Sequence, residues 1–167
     1  STPKGKSIDF NNLHLLNLNC WIGNINIRND STLFDIEKLS LMESGGFLIR
    51  DFNSKVIIAN HSFRFEHAFI NCDSSAINAD HIRLLADSAG SFARFTDEVK
   101  LDVLLKKSLL SAKDLCHFIP FLKGSDETAW VSGRVFGTIA ELKGRDINVA
   151  IKFAMAPECH VYVASFQ

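Results

Sequence analysis

The sequence predicts a mainly β, antiparallel fold built as one unit over residues 1–167. Three observations predict it. Apolar residues recur at every second position along most of the chain, the period that turns one strand face to a dry surface and the other to water. Clusters of Asn, Asp, Ser and Gly punctuate these runs, as turns between short strands do. No Pro/Gly/Ser-rich linker or low-complexity stretch divides the 167 residues, a length typical of about one domain.

Taken in order, the alternation begins with Leu13 and Leu15, gives way to Leu16 and Leu18, and resumes at Ile25 and Ile27. It continues through Leu39 and Leu41, Phe63 and Phe65, and Ile82 and Leu84. Val99, Leu101, Val103 and Leu105 form a longer run, and Ile147, Val149, Ile151 and Phe153 another. Turns are expected at Asn29-Asp30-Ser31, Ser44-Gly45-Gly46, Asp51-Phe52-Asn53, Asp73-Ser74-Ser75 and Lys123-Gly124-Ser125-Asp126. The spacing corresponds to roughly ten short strands. One short helix, over 111–119, interrupts them: Ser111 and Asp114 read as a Ser-x-x-Asp capping box, Leu115 and Phe118 as its apolar edge, and Pro120 as its stop. Beyond it, Val131, Val135 and Ile139 recur among small residues, and Leu142-Lys143-Gly144-Arg145 reads as a turn into another strand. Residues 79–89 fit two patterns. Ile82, Leu85, Ala86 and Ala89 make a helical face with Gly90 as its C-cap, whereas Ile82 and Leu84 make a strand.

Composition narrows the function. With 18 basic and 19 acidic residues the net charge is −1, and no Lys/Arg cluster offers the basic face that phosphate neutralisation requires, so nucleic acid is not an expected partner. Fourteen Phe stand against two Trp and one Tyr. That balance suits a packed core or a dry lining, and not a wet recognition surface that would use the polar handles of Tyr and Trp. No apolar run approaches the ~20 residues that cross a bilayer as a helix. Residues 1–6 lack the apolar stretch of a signal peptide, and with no initial Met the chain reads as a fragment. Any export signal or membrane anchor, and any membrane contact, is therefore expected in regions outside it. Cys20, Cys72, Cys116 and Cys159 would permit three pairings in an oxidising compartment, but they are too widely spaced for a dense disulfide framework and read first as free, buried thiols.

Candidate chemistry is sparse. Cys116-His117 and Cys159-His160 are adjacent pairs, unlike the paired ligands on tight turns that structural zinc uses. Asp35 and Glu37 would share one strand face, which suits a solvated surface opposite Phe34 and Ile36 better than an acid/base pair. Nucleophile elbows, phosphate loops, zinc-protease motifs and calcium loops are absent from the sequence. The expectation is a protein without enzyme activity, metal or cofactor.

Four patches carry a resemblance to a known family. They are Leu39-Ser40-Leu41-Met42-Glu43 followed by Gly46-Phe47, Ser75-x-Ile77, Ser111-x-x-Asp114-Leu115-x-x-Phe118-x-Pro120, and Ser132-Gly133-Arg134-Val135-x-Gly137-Thr138-Ile139-x-x-Leu142-Lys143-Gly144-Arg145. In order and spacing they resemble an internal segment of the large envelope proteins of the TamB/AsmA kind, translocation and assembly module proteins, in the version found in Bacteroidetes. Gly45 stands where that pattern usually has Ser, and residues from Lys152 onward depart from it. The resemblance implies a curved, elongated, groove-like sheet with the helix at 111–119 as a plug, and it favours strand for residues 79–89.

What it implies about function is a non-catalytic segment of a periplasmic bridge, anchored in the inner membrane, that carries phospholipid to the outer membrane. The implied partners are phospholipid acyl chains and an outer-membrane barrel assembly protein. The candidate lipid-contact residues are Leu16, Leu18, Ile25, Ile27, Phe63, Phe65, Leu101, Val103, Val149 and Ile151. A scaffold or chaperone module for outer-membrane protein assembly, acting through strand edges, is the alternative. An ordinary closed β domain of unrelated role is the third reading.

Overall fold

A computed structural model describes residues 14–152 and 161–166. Nine antiparallel strands follow one another as a simple meander, each bonded to its neighbours in sequence: β1 Leu15–Ile27, β2 Thr32–Glu43, β3 Leu48–Ala59, β4 Ser62–Cys72, β5 Ala76–Leu85, β6 Lys100–Ser111, β7 Thr128–Thr138, β8 Glu141–Lys152 and β9 Val161–Phe166. The sheet does not close, because β1 and β9 lie at opposite ends of the strand order. The expected β fold with one short helical plug is present, and residues 76–85 are strand.

Two helical connections interrupt the hairpins. Between β5 and β6, a 3-10 turn at Ala89–Arg94 runs into one α-helical turn, α1 Phe95–Glu98. Between β6 and β7, α2 Ala112–Leu115 continues through hydrogen-bonded turns to Ile119, then a 3-10 turn at Pro120–Leu122. The α-helix proper is shorter than 111–119, and its cap differs from a reciprocal box. Ser111 Oγ accepts from Lys113 N at 3.3 Å, while the Asp114 carboxylate reaches away from the helix to Ser74. Gly90 lies within the 3-10 turn and caps no helix.

Most expected turns fall where the polar clusters lie, with two exceptions. Asp51-Phe52-Asn53 is inside β3, because two polar residues flank one apolar residue whose side chain joins the opposite face. Leu142-Lys143-Gly144-Arg145 is inside β8, and the reversal comes earlier, at residues 139–140. The β3–β4 reversal uses Asn60 and His61, both at positive φ (40° and 60°). That geometry matches the right-handed twist of a two-residue hairpin.

Strands are longer than the alternation suggests, because alternation is interrupted within them. Register shifts fall between Gly23 and Asn26 in β1, Ile36 and Leu39 in β2, Ala79 and His81 in β5, Leu105 and Ser108 in β6, and across Ser132/Arg134 in the β7–β8 pair. In the β3–β4 pair the surplus residue lies in β4, near His67. These irregularities sit side by side, as a band of bulges crossing the sheet, and Asn24, His67 and Asp146 take left-handed backbone there. Each surplus residue switches which parity of side chains faces the apolar side, and bulges bend a strand locally.

Candidate functional site

Following paired residues across the sheet gives continuous rows on one face. Phe34 pairs with Val56, then Phe65, Ile82, Val103 and Val135 follow, an apolar row over six strands. On the other side of the bulge band, Leu39, Phe52, Ile70 and Ile77 form a second row. The Phe52 and Phe65 rings meet across the band, with centroids 5.7 Å apart, so the two rows share one face. Only Val56 among these ten residues is fully buried. The rest are half-buried, and no other described strand or helix lies over the middle of the rows.

The two helical connections cover the ends of this face. At one end Phe92, from the β5–β6 connection, packs edge-on against Phe63 (5.3 Å, 89°). At the other, Leu115, Leu122, Leu110, Val131 and Ile151 line an apolar pocket of about 150 Å³ that is open to solvent. Phe118 meets Phe47 edge-on at 5.0 Å. The result is a largely apolar trough with half-exposed rows, a buried floor between them at Ile36, Ser54, Ala68, Ala79 and Ser108, and a cap at each end.

Three of the four motif patches converge on the second cap. Glu43 is buried, and its carboxylate receives the Ser44 hydroxyl and the Gly45 N–H, which shapes the turn that presents Phe47. Ser75 Oγ accepts from Ser111 N at 2.9 Å, and Asp114 Oδ2 accepts from Ser74 N at 3.0 Å. Buried carboxylates and hydroxyls are costly unless bonded, and here two bonds tie the helical connection to the β4–β5 turn, while the β2–β3 turn meets it through the Phe47–Phe118 contact. The fourth patch supplies Gly133 and Gly137, at φ +127° and +114°. A Cβ on either would come within 2.5 Å of the facing β8 carbonyls, of Asp146 and Glu141 respectively.

The ten candidate residues are mostly brought together. Phe63, Phe65, Leu101 and Val103 lie on the trough face by direct pairing, and Val149 and Ile151 through Val131 and Ala129 on the evenly alternating β7. Ile27 joins through Thr32 and Ile58. Leu16 does not: it pairs with Met42, one residue out of step with Leu41, and so belongs to the opposite face. Leu18 and Ile25 fall inside register shifts, beside the left-handed Asn17 and Asn24, where pairing assigns no face. All four β1 candidates are exposed, Ile27 at 78%. Phe52, Ile70, Ile77 and the capping Phe92 are not among the lipid-contact candidates read from sequence. An apolar residue between two polar ones marks Phe52, but nothing in the local pattern marks Phe92.

The opposite face carries the charged rows, with apolar residues at their ends. Asp35, Lys55, Glu66 and His81 form one row, which continues into Leu104, and Arg64, Arg83 and Asp102 another, between Ile57 and Phe136. Arg134 holds the buried Asp102 carboxylate with two bonds, at 2.8 and 2.9 Å, and this charge-assisted pair keeps Asp102 below the usual carboxylate range. Lys106 similarly lowers Asp80. Asp35, bonded by Asn24 at 2.7 Å, belongs to this solvated face.

Cys20 is exposed, Cys72 buried and Cys116 half-buried, all three as free thiols. Only Cys72 matches the expected burial, and Cys159 lies outside the described residues. Burial, and then the carboxylates of Asp114 and Asp73, push Cys72 up to about 12. Among the described residues no group of three His, Cys, Asp or Glu side chains could hold a metal ion, and no helix is long and apolar enough to cross a membrane. Comparison with protein-family models, curated proteins and solved structures returns no match.

Proposed function

We propose that the trough holds phospholipid acyl chains, as a non-catalytic segment of a periplasmic lipid bridge between inner and outer membranes. The observation that carries this reading is the apolar row from Phe34 to Val135, half-exposed on an open sheet with no covering layer among the described residues. Six strands at ~4.8 Å spacing make that row about 24 Å long, longer than the ~15 Å of bilayer core that one acyl chain occupies. Each buried CH2 gains ~0.8 kcal/mol, so a chain is retained without polar contacts and slides without breaking any. The motif patches that resemble the TamB/AsmA kind support the same reading, because they build one cap of the trough. An outer-membrane barrel assembly protein is the partner this reading proposes at the far end of the bridge.

Photo-crosslinking side chains at Leu101 and Val103 test it. Both lie in the trough and should capture phospholipid in cells. Lys143, which pairs with Phe136 and through it lies in register with Asp102 on the opposite face, should not. Asp102 is a poor control, because its replacement breaks a buried ion pair. Absence of lipid adducts at both trough positions, in a protein that remains folded, sinks the lipid reading.

A scaffold role in outer-membrane protein assembly rests on a different observation. β1 pairs only with β2 among the described residues, and it exposes Trp21 at 69%. Among the described residues its other edge is unpaired, as strand addition requires.

A further inference from the structure

Four buried side-chain polar atoms among the described residues lack a hydrogen-bond partner, and three of them are nitrogens on one patch of the polar face: Arg64 Nε, Arg83 Nε and His81 Nε2. Arg64 and Arg83 are directly opposite each other on β4 and β5. His81 is two residues from Arg83 on the same face, opposite Glu66. Like charges directly opposite in a sheet are destabilising, and the neighbouring carboxylates relieve this pair only in part. Glu66 takes one Arg64 nitrogen at 2.8 Å. Asp102 lies opposite Arg83, but Arg134 occupies both of its oxygens. His81 Nε2 is 3.7 Å from the nearer Asp102 oxygen, beyond hydrogen-bond range.

The patch thus holds three guanidinium groups and two carboxylates, a surplus of one positive charge that the Asp80–Lys106 pair beside His81 leaves unchanged, together with three nitrogens that lack a hydrogen-bond partner. Lys55 and Asp35, farther along the same row, offset each other. The three nitrogens are themselves buried, and solvent reaches the patch at the outer part of Arg64, whose side chain is 41% exposed. What is missing is one anionic acceptor able to meet donors from two strands. We propose that Arg64, Arg83 and His81 form an oxyanion site for a phosphate group, carried by a lipid headgroup or by a soluble phosphate. A tetrahedral oxyanion spans the opposed guanidiniums better than a planar carboxylate, and Arg–phosphate pairing is strong because the bonds are charge-assisted. The site is independent of the trough, which opens on the opposite face.

Titration of the chain with inorganic phosphate at constant ionic strength, followed by the Arg Nε–H resonances and by Tm, gives the first arm. Vesicles of phosphatidylglycerol, compared with phosphatidylcholine, give the second. The expected result is saturable phosphate binding that raises Tm and moves the Arg64 and Arg83 signals. Arg83→Gln should weaken it roughly tenfold or more, the loss of one charge-assisted contact, while Lys143→Gln leaves it unchanged. Because Arg83→Gln relieves a like-charge pair, its Tm without phosphate should be equal to wild type or higher, which separates lost binding from lost folding. Arg83-dependent binding to phosphatidylglycerol vesicles without response to free phosphate identifies a headgroup as the source. Response to free phosphate alone identifies a soluble phosphate. No saturable binding in either arm, or binding that survives Arg83→Gln, overturns the proposal and leaves the three nitrogens to water.

Discussion

The Asp114 carboxylate accepts a hydrogen bond from the Ser74 backbone N–H at 3.0 Å, joining positions forty residues apart. A second bond, from Ser111 N to Ser75 Oγ, runs alongside it. The helical connection is therefore held by the β4–β5 turn as well as by its own cap, and its seat over Leu110, Val131 and Ile151 depends on both.

Asp114→Ala should cost about 1.5–3 kcal/mol, the range for a hydrogen bond to a charged group. Ser111→Ala should cost about 1 kcal/mol as a lost helix cap. Chemical denaturation measures both. An Asp114→Ala loss no larger than that of Ser111→Ala would mean the tie to Ser74 contributes nothing beyond the cap.

The Asp102–Arg134 pair sets a pH dependence. Asp102 is held below its ordinary value, so its contribution is fully present above the unfolded carboxylate pKa and is lost as pH falls through the lower, folded one. Asp102→Asn should lower stability at neutral pH by about 1–3 kcal/mol. The gap to wild type should narrow in acid, below about pH 4. A gap that stays constant down to pH 2 would show that the charge itself is not what stabilises.

Gly133→Ala should destabilise by at least about 2 kcal/mol, combining left-handed strain with a collision against backbone. The added Cβ would lie 2.5 Å from the Asp146 carbonyl and 2.8 Å from the Ile147 Cα, neither of which can rotate away. Gly124→Ala makes a useful comparison, since its φ is also positive (+91°) but nothing lies within 4 Å. Its smaller loss would isolate the backbone strain.

The thiols should separate kinetically. Cys20 is exposed and should react with a thiol reagent in the folded protein at pH 8, whereas Cys72, pushed up to about 12, should wait for unfolding. Its raised pKa favours the folded state while the thiol is neutral, and that advantage is lost as pH rises beyond the unfolded value near 8.5. Labelling followed by mass spectrometry, with and without denaturant, gives both rates.

The β1 edge should associate. Its exposed Trp21 and Ile27, on a strand with one edge unpaired among the described residues, invite pairing. Sedimentation should detect concentration-dependent self-association, and Trp21→Lys with Ile25→Lys should suppress it. A wild-type chain that stays monomeric at high concentration would show that the left-handed residues Asn17 and Asn24 already protect this edge.

Sequence pattern carried the strand character, four of the hairpin or loop positions, and most of the apolar face. Leu101 with Val103, and Phe63 with Phe65, were legible because each pair lies on one side of the bulge band, where period two holds. The path across the band was not legible. Its surplus residues are ordinary polar types such as His67 and Asp146, and left-handed backbone at a non-glycine position leaves no mark in a hydrophobic pattern. Leu16 was misplaced for the same reason, since one surplus residue near Asn17 inverts everything before it. The orphaned nitrogens of Arg64, Arg83 and His81 depend on cross-strand pairing, which a single strand's sequence does not encode.

The bulge band also bears on how chain length can drift in this protein. In β8, one residue between Arg145 and Asn148 has no counterpart in β7. Deleting Asp146 would bring the two strands into step while leaving Gly144 and Ile147 on the faces they already occupy. The same deletion at Val135, in evenly alternating β7, would swap inside for outside along half the strand. Tolerance to single-residue gain and loss should therefore be distributed very unevenly, with β8 elastic near Asp146 and β7 inelastic throughout. A library of one-residue deletions, scored for folded protein, would trace the band directly.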